Sequence, residues 1–196
     1  MLFAVVLLTL ATTVNAATVL FDSNPLAGNP ALTTPGRQIV NGAGGGPVRT
    51  FDPATDVIAF DIGVFGFSDV VFANGNTTDP GFPTSGLTVA VVQNASAAGQ
   101  AATLLANQLT SSGPGLFMYF NAGLNVPRLV FSTDLGDPDA DLAILARFDN
   151  LTGQTGILPS ITAANFTGVP EPSTVLLTSG ALLGLVALRL RRRRDE

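Results

Sequence analysis

Four residue types are missing from this chain of 196 residues: cysteine, histidine, tryptophan and lysine. Without histidine or cysteine, a Ser-His-Asp triad, a Cys-His dyad and a His-ligated metal centre are impossible within the chain itself. A zinc site built from aspartate alone would be abnormal. No disulfide can form, which suits an exported protein and a cytosolic one equally and so selects no compartment. Charge is also scarce, at 12% of residues. Between residues 17 and 168 only Arg37, Arg49, Arg128 and Arg147 oppose eleven aspartates. So acidic a body repels nucleic acid and anionic lipid surfaces, and no nucleic-acid partner is expected.

In place of charge the sequence offers 21 glycines, 13 prolines and a 46% hydrophobic content. Such a mixture points to short strands joined by turns. Period-2 alternation and β-branched runs predict strands at Thr18–Phe21, Gln38–Val40, Asp56–Phe60, Leu87–Gln93, Leu116–Phe120, Arg128–Ser132, Leu142–Phe148 and Ile161–Phe166. Turn-forming linkers lie between them: Asn24-Pro25, Asn41–Gly46, Asn74–Asn76 and Asp79–Gly81. Asn121–Asn125 reads as a hairpin loop, and Asp134–Asp141 as the loop joining the last clear strand pair. Only Ser96–Leu109, where Ala, Gln and Leu replace β-branched residues, predicts a helix. The expected fold class is mainly β: a single β-rich domain over 17–168, sandwich or roll-like, with one short helix. Its length is enough for one core.

Both ends read as processing segments. Residues 1–16 hold an apolar run, Leu2–Leu10, followed by Val14-Asn15-Ala16, with small residues where signal peptidase requires them. This predicts a signal peptide cleaved after Ala16. No basic residue precedes the run, so either the true start codon lies upstream or the α-amino group supplies the positive charge. A buried first strand or helix is the competing reading. At the other end, Pro170-Glu171-Pro172 cannot be helical and stays extended. Val175–Leu188 follows as an unbroken run of apolar and small residues, about 21 Å long as a helix against a hydrocarbon core of ~30 Å. Thr174 and Leu190 extend it to a transmembrane helix over 174–190. The cluster Arg189, Arg191, Arg192, Arg193 and Arg194 fixes its own side in the cytoplasm and leaves the body outside.

These three parts, in this order, resemble the PEP-CTERM sorting signal of Gram-negative bacteria, over residues 169–194. The resemblance implies handling by exosortase, a membrane-embedded cysteine protease or transpeptidase acting near the motif. It implies a body tethered transiently to the inner membrane and then released to the cell surface or medium, in the company of exopolysaccharide. A permanent single-pass anchor is the alternative. A second resemblance covers about half of the chain. Phe51–Phe60 is similar to an F-x-P-x-x-D-x-I segment beyond the calcium-binding repeats of RTX-type secreted proteins. Gly115–Phe120, the strand around Leu142–Arg147 and Leu158–Phe166 follow in the same order. It implies a β-rich fold. The glycine- and aspartate-rich nonapeptides of that group are absent, so their calcium role does not carry over.

One acidic constellation stands out: Asp134, Asp137, Asp139 and Asp141. Alternate carboxylates resemble the opening of a calcium loop, but Leu142 stands where an EF-hand needs Gly and Phe148 where it needs Glu. A solvated hairpin loop explains the same residues. Sequons at Asn76, Asn94, Asn150 and Asn165 mark surface loops. Paired aspartates could in principle serve a secreted hydrolase. However, Tyr119 is the sole tyrosine, and most of the 13 phenylalanines fall on apolar strand faces. The expectation is a non-enzymatic, cofactor-free structural or adhesive protein of the cell envelope or matrix. A calcium-dependent carbohydrate- or surface-binding module and an Asp-based hydrolase are the alternatives.

Overall fold

The computed structural model describes residues 16–29, 38–83, 85–96 and 101–170. Within them the chain is mainly β. The strands are β1 (Thr18–Phe21), β2 (Ile39–Val40), β3 (Val48–Arg49), β4 (Val57–Asp61), β5 (Phe72–Gly75), β6 (Val89–Ser96), β7 (Gly115–Asn121), β8 (Val126–Ser132), β9 (Leu142–Phe148) and β10 (Phe166–Val169). Strands β1 and β9 begin and end where the alternation predicts. Strands β2, β4, β6, β7 and β8 lie within three residues of expectation. Two short α-helices occur where one was expected: α1 (Ile62–Phe65) and α2 (Ala101–Ala106).

The strands form two sheets. In the smaller, β4 lies between β1 and β10, parallel to both. The larger sheet runs β2-β9-β8-β7-β6-β5, with β3 also paired to β9. Its hairpins β7–β8 and β8–β9 are antiparallel, as the two predicted loops require, whereas β5, β6 and β7 are mutually parallel. Parallel neighbours need a crossover, and α2 lies in the one between β6 and β7. Parallel strands covered on both faces read as continuous apolar runs, as Val89-Ala90-Val91-Val92 does. All four of these residues are buried.

Alternation along β7 separates two apolar clusters. Leu116, Met118 and Phe120 join Val19 and Phe21 of β1, Ile58 and Phe60 of β4 and Phe166 of β10, so one core is shared by both sheets. Phe117 and Tyr119 belong to the opposite cluster, with Ala101, Ala102, Leu105 and Ala106 of α2 and with Leu109 and Leu135. Strand β7 is fully buried between β6 and β8, which makes Leu116–Phe120 an interior strand and not an exposed edge. Phenylalanines consolidate the shared core. Phe65 meets Phe131 edge-on at 5.0 Å between ring centroids, and Phe60 lies 4.5 Å from Phe67.

Three departures from the sequence expectation have local causes. After the strand predicted at Asp56–Phe60 no helix is expected. Instead the Asp61 carboxylate accepts from the N–H groups of Gly63 (2.8 Å) and Val64 (3.2 Å), turning the chain into α1. The strand predicted at Ile161–Phe166 is replaced by a 3-10 turn at Ala163–Asn165, and β10 starts only at Phe166. A capping box between Thr162 and Asn165 makes that turn. The helix expected over Ser96–Leu109 is limited to Ala101–Ala106 in the described residues, and Ser96 still belongs to β6. In addition, Asn74 and Gly75 read as linker but pair within β5.

Candidate functional site

In a body with four arginines, two of them sit opposite each other. Tyr119, Arg128 and Arg147 form a row across β7, β8 and β9. A β-bulge creates the arginine pair: Leu129 pairs with Ala146 but Val130 pairs with Ile144, leaving Leu145 extra in β9. The extra residue shifts the alternation and brings Arg147 beside Arg128. Like charges at such a position repel. The turn Asn41–Gly46 between β2 and β3 answers that repulsion with carbonyl oxygens.

Arg128 is 6% exposed. Its Nε donates to the Gly45 carbonyl at 2.9 Å, its Nη1 to the Tyr119 hydroxyl at 3.2 Å and its Nη2 to the Gly42 carbonyl at 3.4 Å. Arg147 donates to the Gly44 carbonyl and lies 3.1 Å from the Asp149 carboxylate. Glycine is required in this turn. At Gly46 φ is +94°, and a Cβ there would lie 2.4 Å from the Ile144 Cγ2. The row thus clamps the glycine-rich turn over the edge of the sheet, with three arginine donors directed at its backbone oxygens.

The acidic loop is likewise held by backbone groups, some within it and some from other segments. Asp134 accepts from the N–H groups of Gly113 (3.0 Å) and Gly136 (2.8 Å). Asp137 accepts from the Asp139 N–H at 2.8 Å, a local Asx turn. Asp141 accepts from the Gln38 N–H at 2.9 Å and so ties the loop to β2, while Asp139 is exposed. Among the described residues, no group of three or more acidic side chains is gathered closely enough to hold a metal ion. The four aspartates therefore sit along one loop without converging on a common point.

The sequons behave as structural joints. Asn165 is buried: its amide donates to the carbonyls of Pro53 (2.9 Å) and Asp56 (3.0 Å), and its oxygen accepts from the Thr162 N–H (2.9 Å). This corrects its reading as a surface-loop residue. Asn150 donates to the Phe51 carbonyl (2.9 Å), and Asn94 accepts from the Thr77 N–H (3.0 Å). Asn76 donates weakly to the Asp79 carboxylate at 3.4 Å. Asparagine amides here supply the donors and acceptors that a charge-poor chain lacks.

The described body ends where the C-terminal motif begins. Strand β10 finishes at Val169, and Pro170 follows as an exposed residue. Gly168 lets β10 pass close to α1, since a Cβ there would lie 2.8 Å from the Ile62 Cγ2 and 2.9 Å from the Ser68 carbonyl oxygen. Glu171, Pro172, the helix predicted at 174–190 and the arginines from Arg189 to Arg194 lie outside the described residues, as does the apolar run Leu2–Leu10. Among the described residues no helix is long and apolar enough to cross a membrane. Ala16, the predicted cleavage residue, is exposed just ahead of β1.

Beside it lies the Asp56 carboxylate. Asp56 is buried at the foot of β4 and accepts from the Ala17 N–H (2.9 Å), the Asp52 N–H (2.9 Å) and the Thr55 hydroxyl (3.0 Å). The Ala17 hydrogen bond, helped by those from Asp52 and Thr55 and opposed by burial, holds its carboxyl below the usual range. Asp56 appears in the sequence only as the aspartate of the F-x-P-x-x-D-x-I segment, and nothing local announces its partner 39 residues away. Arg128 had a weak signal: a lone cation within the apolar strand Val126–Ser132. No family model, curated protein or solved structure matches this chain.

Proposed function

We propose that this chain is an exported, non-enzymatic protein of the cell envelope or extracellular matrix, structural or adhesive, sorted by an exosortase through its C-terminal tail. The observation that carries the reading is the order of parts in residues 169–194: Pro170-Glu171-Pro172, an apolar segment too short for a comfortable permanent anchor, and five arginines. The exposed Pro170 immediately after β10 supports it, because a protease needs its motif clear of a folded sheet. The shared core of the two sheets supports a sandwich-like body, and its fixed amide-to-carbonyl joints suit a passive structural role. In this reading exosortase and the inner membrane are transient partners, and exopolysaccharide is the surrounding matrix.

The test is fractionation in a host that carries an exosortase. Wild-type chain is expected to lose its tail and leave the membrane, while Glu171→Ala or deletion of Arg191–Arg194 leaves full-length protein in the membrane fraction. Wild type and variants remaining full-length together would reduce the tail to a plain anchor.

A further inference from the structure

Strand β1 is held at the residue just before it. The Ala17 N–H donates to the Asp56 carboxylate at 2.9 Å, and the Ala17 carbonyl accepts from the Val57 N–H at 2.9 Å. Ala16 and Ala17 are both exposed, whereas Asp56 is buried. Among the described residues the one ion pair is Arg147–Asp149, so no described arginine neutralises Asp56. Asp56 is thus a buried carboxylate that accepts three hydrogen bonds and, among the described residues, has no cation beside it.

We propose that Asp56 is the seat of the α-ammonium group that signal cleavage creates on Ala17, so that processing locks β1 into the small sheet. The inference rests on cleavage after Ala16, part of the export reading above. Hydrolysis adds one water across the Ala16–Ala17 bond. Ala16 leaves as a carboxylate, and the Ala17 amine takes up a proton near neutral pH. The nitrogen that gave Asp56 one neutral N–H donor then carries a full positive charge in the same position. Asp52 is the other ionisable residue in this turn, and its carboxylate accepts from the Ala54 N–H at 3.0 Å. The segment Thr162–Asn165 packed against the turn contributes only uncharged groups. Since β1 and β10 both run parallel to β4, the new ammonium lies at the start of the sheet and Pro170 beyond its end. The two are separated by about 20 Å along the strands. Removal of the leader thus stabilises the end of the body remote from the tail.

The absence of lysine makes the test selective, because in the processed chain Ala17 carries the only amine. The chain from Ala17 to Glu196, released in detergent from a removable fusion, is titrated by competitive amine acylation. The expected result is a pKa about one unit or more above the ordinary α-amino value of ~7.7, with labelling at least about sixfold slower at pH 7.5. Asp56→Asn should restore the ordinary value. A normal pKa that Asp56→Asn does not move would overturn the proposal. N-acetylation of Ala17 keeps the N–H but removes the charge, so it serves if Asp56→Asn fails to fold. The acetylated chain should melt a few degrees lower at pH 7, and the gap should close above pH 9 as the free amine deprotonates. Equal melting at pH 7 also overturns the proposal. The mass of naturally exported protein reads the cleavage position separately, so a wrong cleavage site and a wrong role for Asp56 are distinguishable.

Discussion

Arg128 is the clearest place to perturb the body. Arg128→Met keeps the length and apolar stem of the side chain and removes all three donated hydrogen bonds. Gly45 and Gly42 lose a donor to their carbonyls, and the buried Tyr119 hydroxyl loses its arginine partner. Hydrogen bonds from a charged group contribute about 1.5–3 kcal/mol each, but the guanidinium no longer has to be desolvated, which returns part of that sum. Relief of repulsion from Arg147 returns a little more. The net cost should be about 2–4 kcal/mol, a fall of about 1–2 M in the urea midpoint for a slope of ~2 kcal/mol/M. Equilibrium urea unfolding measures it, and limited proteolysis should show earlier cutting in Asn41–Gly46. Arg128→Lys should recover little, because a single ammonium cannot reach acceptors spread over the turn and β7. An unchanged midpoint with an intact turn would refute the clamp.

Other outcomes follow from the same bonding. Asn165→Ala should cost about 2–4 kcal/mol by stranding two carbonyls and one N–H at a buried joint, and thermal melting checks it. The Asp56 carboxyl is depressed in the folded state, so its contribution is complete above the ordinary carboxylate range and is lost as pH falls through its folded value. Urea midpoints between pH 2 and 6 should therefore decline below about pH 4, with a shallower decline in Asp56→Asn. Millimolar calcium should leave the melting midpoint unchanged, because the loop aspartates are directed at backbone N–H groups. A rise in the midpoint would favour the calcium-binding alternative.

The legible parts of this fold are those whose periodicity is local. Strand β9 shows as the local apolar run Leu142–Phe148, and the hairpin loops on either side of β8 show their turn formers, so these elements appear where expected. The pairing of β1 and β10 on either side of β4 is not legible, because parallel contacts across about 40 and 110 residues leave no spacing signal. Strand β3, two residues long, is too short for any period. The acidic loop was conspicuous because its residues adjoin in sequence. By contrast, the Arg128 clamp and the Asp56 seat each join distant segments through backbone groups, which no residue pattern records.

The central claim is that both ends of the chain are processing signals around a β-rich body. The mass of the protein recovered outside the inner membrane, from a host with an exosortase, tests it most directly. The account predicts a chain that begins at Ala17 and ends near Pro170–Pro172. An intact C-terminus through Glu196 on protein that stays in the membrane fraction would contradict it.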